Sequence, residues 1–269
     1  MISNFQNKDF LKLLYKDSNL ISFRGSFLKK YSNRKYSLRT FIIKLLPALK
    51  NKNILDIGCG DCSFLKKLTT MYPNNKYFGL DIVNNQKCVN QKSIEYQIYS
   101  GSELPRYQKK FDIIFCMHML YHISDFDNFF NQIKNNLKKN GFFVITTKSK
   151  FTLPNIESLF KNITDQINFK FSNQRDEANF CLENAPEILK KYFPEKQFII
   201  EEYILENQLI VDNKKDLLRY IFSTARYNID RKINKKIMKK YLILWREKIS
   251  KSKIFIDKYS EVVYFIKCI

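Results

Sequence analysis

The chain has 269 residues, of which 45% are hydrophobic, enough for one large domain or one domain with an added cap. No apolar run reaches about 18 residues and the amino terminus lacks a signal peptide's apolar stretch, which excludes a membrane protein and predicts a soluble, cytoplasmic one. The formal net charge of +21 leaves a nucleic-acid partner open.

Residues 1–50 are predicted to be helical. Apolar residues recur there at the spacing of one helix face and end before a proline, namely Leu38, Phe41, Ile42, Leu45 and Leu46 before Pro47. An amino-terminal helical segment therefore precedes the first predicted strand.

The most informative segment begins at Asn53. Residues 53–57 are a short apolar run typical of a buried parallel strand, Gly58 and Gly60 follow, and a helical pattern starts near residue 62. In a doubly wound sheet this strand, glycine turn and helix bind a nucleotide-like ligand on exposed backbone N–H groups. The glycines leave no side chain in the way of that ligand.

The second predicted strand, residues 76–80, ends on Asp81. An acid at this place, about 20 residues after the glycine turn, is the usual partner of ribose hydroxyls. The alternative role for Asp81 is a helix cap or a turn. With the turn and the acid in register, we favour the ligand role.

The remaining pattern alternates strands and helices. Further strands are predicted near 94–98, 111–116, 140–147, 198–204 and 262–267, and helices near 62–72, 84–90, 126–139, 213–226 and 231–251. Asp125 or Asp127 would cap the helix at 126–139, and Asn140-Gly141 would end it. Prolines interrupt residues 151–197, which we interpret as an insertion of short helices. This alternation predicts an α/β fold with a parallel sheet.

The motifs resemble the class I S-adenosylmethionine-dependent methyltransferases. The resemblance lies in I-L-D-I-G-C-G at 54–60, F-D-I-I-F-C-M-H-M-L-Y-H-I at 111–123 and L-K-K-N-G-F-F-V-I-T-T at 137–147, and covers residues 53–150 well. A dinucleotide dehydrogenase is the alternative for the turn, but Ser63 stands where its third glycine would fall. Two positions depart from the methyltransferase pattern, Cys62 at a common glycine and Ser100 at a common acid.

The resemblance implies a doubly wound, mostly parallel seven-stranded sheet with an antiparallel last strand, plus helical cap elements. It implies a lid at 1–50, a cofactor-binding core at 51–150, a substrate cap at 151–197, and completion of the sheet with lid helices at 198–269. The cofactor would be S-adenosylmethionine. Its expected contacts are Asp56, Gly58, Cys59, Gly60, Asp81, Ile82, Ser100, Gly101, Ser102, Cys116 and Met117.

The chemistry is expected at the end of the fourth strand. Methyl transfer from a sulfonium needs a general base only when the nucleophile carries a proton. The two histidines of the chain, His118 and His122, are the candidate catalytic residues, and Tyr31, Tyr36 and Tyr121 the candidate substrate contacts. The four-residue spacing of the histidines suits a metal, but no H-E-x-x-H motif or carboxylate set accompanies them, so no metal is expected.

The six cysteines include Cys59 and Cys62 at C-x-x-C spacing. This spacing suits zinc or redox chemistry. No second pair completes a metal site, and the pair lies inside the glycine turn. We therefore expect small, reduced residues, as in a cytosolic protein.

The positive charge is concentrated at the two ends of the chain. Residues 1–52 carry net +10 and residues 205–269 net +9, whereas residues 151–204 carry net −3. The ends could attract RNA, a phosphorylated substrate or an acidic carrier protein, but an AT-rich genome also enriches lysine. Three hypotheses remain: a methyltransferase for a small or carrier-bound acceptor, which we favour, an RNA methyltransferase, and a non-catalytic cofactor-binding protein. Oligomeric state is left open.

Overall fold

The computed structural model describes Lys12, 18–99, Leu104, 111–167, 179–223, 235–251 and 253–269. The strands of these residues are β1 Asn53–Ile57, β2 Lys76–Asp81, β3 Ile94–Ile98, β4 Phe111–Met117, β5 Leu137–Lys148, β6 Phe198–Val211 and β7 Phe255–Cys268. The α-helices are α1 Ser18–Tyr31, α2 Leu38–Leu45, α3 Ser63–Met71, α4 Gln86–Val89, α5 Phe126–Asn136, α6 Pro154–Gln166, α7 Ala185–Tyr192, α8 Lys214–Ser223 and α9 Lys235–Ser250. None of these helices has the length and apolar character that crossing a bilayer requires.

The strands form one sheet in the order β3-β2-β1-β4-β5-β7-β6. β1 to β5 run parallel, and β7 lies antiparallel between β5 and β6. The predicted doubly wound, mostly parallel sheet with an antiparallel last strand is confirmed. The strand order reverses between β1 and β4, so a crevice opens beyond the carboxyl ends of these strands.

Adjacent residues of the central strands enter two separate cores on opposite faces of the sheet. Phe143 of β5 packs in one core with Phe130 of α5 and Phe193, which follows α7. Its neighbour Val144 belongs to the other core, which includes Phe64 of α3. Burial on both faces explains why these strands are continuous apolar runs in the sequence. Each buried phenylalanine stabilises the fold by about 1.5–3 kcal/mol and helps to hold the strand ends in place.

The antiparallel pair of β6 and β7 is longer than the predicted strands at 198–204 and 262–267. The two strands pair along their full length, whereas the pairing of β5 with β7 ends at Lys148 and Glu261. The outer half of this strand pair, which helices α8 and α9 connect, therefore extends past the carboxyl edge of the sheet. Polar residues such as Asn207 obscured the strand pattern there.

The outer half of the β6–β7 pair supports a third group of buried residues, which we call the cap core. It joins α1, α6, α8, α9 and β7 through residues that include Phe27, Ile163, Tyr220, Trp245 and Tyr259. The rings of Phe27 and Tyr220 stack with centroids 4.2 Å apart. The two helices of the predicted insertion separate, because α6 joins the cap core while α7 packs on the sheet. Residues 168–178 of that insertion lie outside the described residues.

Helix α5 is shorter than the predicted helix at 126–139. Asp125 caps it, because its Oδ1 accepts a hydrogen bond from the Asn128 N–H at 2.9 Å. The helix ends at Asn136, and Leu137 already pairs with Phe111 in the sheet. The predicted stop at Asn140-Gly141 therefore lies inside β5.

Candidate functional site

A cavity of about 370 Å³ opens beyond the carboxyl ends of β1, β2 and β4. Its volume falls within the range of small-molecule sites. Helices α1 and α2 contribute to its wall, for example through Leu28 and Leu38. The structure brings together ten sequence-predicted site residues in this wall, which are Asp56, Gly58, Cys59, Gly60, Asp81, Ile82, Met117, His118, Tyr121 and His122.

The glycine turn forms the part of the wall between β1 and α3. The N–H groups of Gly58 and Cys59 donate to the Leu80 carbonyl at 2.8 and 3.1 Å, which ties the turn to β2. Gly58 and Gly60 have φ values of 75° and 60°, in the left-handed region that favours glycine. A Cβ on Gly58 would lie 2.8 Å from Met119 Cγ, whereas one on Gly60 would meet nothing within 4 Å. Packing therefore requires glycine at 58, while Gly60 leaves the cavity open.

Asp81, the last residue of β2, stabilises the same turn through hydrogen bonds to backbone N–H groups. Its Oδ2 accepts a hydrogen bond from the Gly60 N–H at 2.8 Å, and its Oδ1 one from the Val83 N–H at 3.0 Å. Burial raises the pKa of Asp81 although these backbone N–H groups oppose the rise. Each carboxylate oxygen keeps a second lone pair. Asp81 can therefore also accept hydrogen bonds from ligand hydroxyls.

Three residues of the cavity wall carry buried polar atoms that have no hydrogen-bond partner among the described residues. These atoms are both carboxylate oxygens of Asp56, the hydroxyl of Tyr99 and Nδ1 of His118. Burial raises the pKa of Asp56 to about 8. Because buried polar groups are normally paired, their concentration in one cavity indicates a ligand that would supply the partners.

Glu261 of β7 is the centre of a buried polar network at the far end of the cavity. Its Oε1 accepts hydrogen bonds from His118 Nε2 at 2.9 Å and from the Tyr259 hydroxyl at 2.8 Å. Its Oε2 pairs with the Arg34 guanidinium. Burial alone would raise the pKa of Glu261, but the hydrogen bond from His118 and the positive charges of Arg34 and Lys148 lower it well below its usual range.

The cysteines of the turn differ from the expectation of reduced thiols. Cys62 has a φ of 56°, and its sulfur forms a disulfide with Cys88 of α4. The sulfurs of Cys59, Cys62 and Cys88 lie within 4.8 Å of one another. Helix α4 brings Cys88 to the turn, a contact that spacing along the chain does not reveal. With two sulfurs in a bond, Cys59 alone remains as a thiol ligand, too few for a zinc site.

Other sequence-predicted residues lie away from the cavity wall. Cys116 is fully buried in the sheet core. Tyr31 packs in the cap core and donates its hydroxyl hydrogen to Asp216 at 2.6 Å. Tyr36 is 40% exposed. Outside the described residues are Ser100, Gly101 and Ser102. The roles assigned to these residues stay predictions.

Some residues of the cavity wall were not predicted from the sequence, notably Arg39, Tyr99, Lys148 and Glu261. Glu261 did leave a signal, since it is an acid that directly precedes the apolar run V-V-Y-F-I. Its meeting with Lys148 depends on the antiparallel register of β5 and β7. That register is a long-range property, and the local pattern did not contain it.

Residues 31–185, more than half of the chain, match a protein family described as "Methyltransferase domain". Among curated proteins, the chain is 31% identical over 115 residues to the tRNA U34 carboxymethyltransferase of Nautilia profundicola, covering 39% of this chain and 37% of that protein. It is also 31% identical over 109 residues to the ubiquinone biosynthesis O-methyltransferase of Pelagibacter ubique, covering 38% and 44%. The matches thus span less than half the length of these relatives.

Solved structures share the fold at low identity. The YcgJ protein of Bacillus subtilis superposes with a TM-score of 0.54 at 13% identity, covering 86% of this chain and 97% of that one. The phosphoethanolamine N-methyltransferase 2 of Haemonchus contortus, solved with S-adenosyl-L-methionine, gives 0.55 at 19% identity, covering 100% of this chain and 60% of that one. At these low identities, the similarity to the two solved structures shows a shared fold and nothing about activity.

Proposed function

Because the chain belongs to the methyltransferase domain family, we propose that it is an S-adenosylmethionine-dependent methyltransferase. It transfers the methyl group to an oxygen or nitrogen of a small or carrier-bound molecule. The observation that carries this proposal is the Asp56 carboxylate, which lies in the cavity beside the glycine turn and has no hydrogen-bond partner in the described part of the chain.

The described residues fit the cofactor that the family implies. Asp56 offers two oxygens to the ammonium group of the methionine moiety, and Asp81 offers lone pairs to the ribose hydroxyls. Gly60 leaves room for close approach to the backbone. Tyr99, directly after β3, would serve the adenine end, because its hydroxyl lacks a partner among the described residues.

The chemistry makes modest demands on the protein. The sulfonium is a good leaving group when the cofactor is bound, so the chain mainly positions the acceptor and excludes water. Helices α1 and α2, which contribute to the cavity wall, suit this role. A base is required only for a protonated nucleophile.

We assign the proton-acceptor role to His118, with Glu261 as the residue that orients it. Burial lowers the pKa of His118 against the opposing effect of Glu261, so the ring is neutral at pH 7. A neutral ring that donates from Nε2 to Glu261 carries its lone pair on Nδ1, the atom without a partner among the described residues. His122, in the same wall, is the second candidate.

RNA methylation is the second candidate function. The similarity to tRNA U34 carboxymethyltransferases and the net charge of +21 favour it. We prefer a small or carrier-bound acceptor for two reasons. The site is a cavity with helices α1 and α2 in its wall, and the segment 151–204 carries net −3, which would repel a phosphate backbone.

A methyl-transfer assay with fractionated extract tests the proposal. Purified protein and radiolabelled S-adenosylmethionine are incubated separately with the small-molecule, carrier-protein and RNA fractions of a bacterial extract. We expect S-adenosylhomocysteine and a labelled product from one of the first two fractions, and less from an Asp56→Asn variant. Absence of S-adenosylhomocysteine with every fraction would favour the non-catalytic alternative.

A further inference from the structure

The charged side chains of the cavity wall are distributed unevenly. At the β1 and β2 end, where the glycine turn is, the carboxylates outnumber the one cation of the described residues that acts on them, Arg39: they are Asp56, Asp61 and Asp81. Toward β7 lie Lys148 at the end of β5, its sheet neighbour Glu261, and Arg24 of α1, whose charge acts on Lys148. A cofactor with a sulfonium and an ammonium group suits the acidic end, whereas the basic end suits a ligand of the opposite charge.

Lys148 is the most informative of these groups. It is half-buried, and its ammonium group makes no ion pair or hydrogen bond to any described residue. It lies 5.2 Å from the centroid of the Tyr259 ring, and Glu261 is its partner in the sheet register. The aromatic ring compensates an ammonium group only in part, and a half-buried ammonium that has no ion pair or hydrogen bond among the described residues is costly to maintain, which points to a ligand that would pair with it.

Two cations and one carboxylate of the described residues act on the ammonium group of Lys148. Burial lowers the pKa of Lys148, Glu261 opposes this, and the positive charges of Arg24 and Arg34 lower the pKa further. Glu261 is already engaged by Arg34 and by His118. Glu261, the carboxylate that acts on Lys148, is therefore shared, and an incoming anion would reduce the repulsion between Lys148 and Arg34.

We propose that Lys148 and Arg24 form an anion subsite, and that the methyl acceptor carries a carboxylate or phosphate group that binds there. The inference rests on the proposed function, since it names the chemical class of that function's substrate. The charge of Lys148 acts on His118 in the same wall, so an acceptor held at the subsite would lie near this histidine.

The α-carboxylate of the cofactor is the other possible source of an anion. Arg39 is better placed for it, because its charge acts on Asp56 and on Asp61 at the acidic end of the cavity. The affinity for S-adenosylhomocysteine, which carries the same carboxylate, distinguishes the two sources. It should not change when Lys148 is neutralised.

Fluorine NMR tests the subsite on the full chain saturated with S-adenosylhomocysteine. The probes are 4-fluorobenzoate, its neutral analogue 4-fluorobenzamide, and monofluorophosphate, each titrated to about 20 mM, the range of weak binding. The variants are Lys148→Met, which removes the charge, and Lys148→Arg, which keeps it. Lys150→Met, at an exposed lysine two residues away, is the matched control.

We expect the wild type, Lys148→Arg and Lys150→Met to bind at least one anionic probe about tenfold more tightly than 4-fluorobenzamide. Lys148→Met should lose that preference and keep its affinity for S-adenosylhomocysteine. Three results would overturn the inference: no binding of either anion, equal binding of acid and amide, or a preference that survives in Lys148→Met. A loss of S-adenosylhomocysteine affinity in Lys148→Met would assign the lysine to the cofactor instead. A wild type that fails to bind S-adenosylhomocysteine contradicts the proposed function itself.

Discussion

Asp56 combines a buried position with a carboxylate that has no partner among the described residues. Its pKa of about 8 means that the free protein holds the group mainly protonated at pH 7. An ammonium group brought beside it would favour the ionised form. Cofactor binding should therefore be coupled to proton release from this residue.

Proton release on binding gives the first prediction. At pH 7, S-adenosylhomocysteine should displace close to one proton from the wild type and none from Asp56→Asn, whose affinity should fall by about 1.5–3 kcal/mol. Calorimetry in two buffers of different ionisation enthalpy measures the proton count. Binding to the wild type without proton release would show that Asp56 does not meet the ammonium group.

Asp56 also makes the stability of the protein depend on pH. Its pKa is higher in the folded state than in the unfolded chain, so the unfolded chain releases this proton at lower pH. The stabilisation from this group is complete below the pKa of the unfolded state and is lost as the pH rises toward about 8. Without bound cofactor, the Asp56→Asn variant should lose less stability than the wild type over this pH range.

Glu261 gives the second prediction, with the opposite dependence of stability on pH. Its pKa is lower in the folded state than in the unfolded chain, so its stabilisation is present above the pKa of the unfolded state and is lost as the pH falls below that pKa. Glu261→Gln should cost about 3–5 kcal/mol near neutral pH, because Arg34 loses its buried partner. It should then lose less further stability on acidification than the wild type does.

Urea unfolding at several pH values measures both effects. The matched control is Glu202→Gln, since Glu202 is an exposed acid that also accepts a tyrosine hydroxyl, that of Tyr264 at 2.7 Å. The control should change stability by about 0.5 kcal/mol or less. Equal effects of the two substitutions would argue against a buried network around Glu261.

At the scale of elements, the glycine turn joins β1, β2 and α3 through two glycines with different surroundings. The third prediction compares Gly58→Ala with Gly60→Ala. Both alanines would have positive φ, at a cost of about 1–2 kcal/mol. Gly58→Ala should cost about 1–3 kcal/mol more, because its Cβ would collide with Met119.

The two variants should also differ in binding. A Cβ on Gly60 meets nothing within 4 Å and Gly60 lines the cavity, so Gly60→Ala should keep the fold and obstruct the cofactor. Thermal unfolding and S-adenosylhomocysteine titration report the two properties separately. Equal stability of both variants, or normal cofactor affinity in Gly60→Ala, would contradict this account of the turn.

The elements also show what the sequence can predict. Strands β1 to β4 and their helices follow from local apolar runs, from the glycine turn and from the Asp125 cap, which depend on neighbours in the chain. The outer half of the β6–β7 pair and its contacts do not follow from local pattern, since the register of β5 and β7 brings Lys148 to Glu261 over more than 100 residues. The Cys62–Cys88 disulfide escaped prediction for the same reason.

At the scale of the whole molecule, the net charge of +21 favours binding of RNA, whereas the cavity wall carries both acidic and basic residues and suits a small ligand. The fourth prediction distinguishes these two acceptors. Bulk RNA should not be methylated above background, because we propose that the acceptor binds in the cavity and not on the basic ends. A rate with RNA that falls steeply between about 50 and 200 mM salt would indicate phosphate contacts and favour RNA methylation.

The central claim is that the cavity beside the glycine turn binds S-adenosylmethionine, and calorimetry with S-adenosylmethionine and NAD on the wild-type chain tests it most directly. We expect saturable one-to-one binding of S-adenosylmethionine with a Kd of about 1 mM or tighter, and no measurable heat with NAD. Asp56 and the turn at Gly58 and Gly60 match the methyltransferase pattern, while Ser63 replaces the third glycine of the dinucleotide fingerprint. No heat with S-adenosylmethionine, or tighter binding of NAD, would contradict the account.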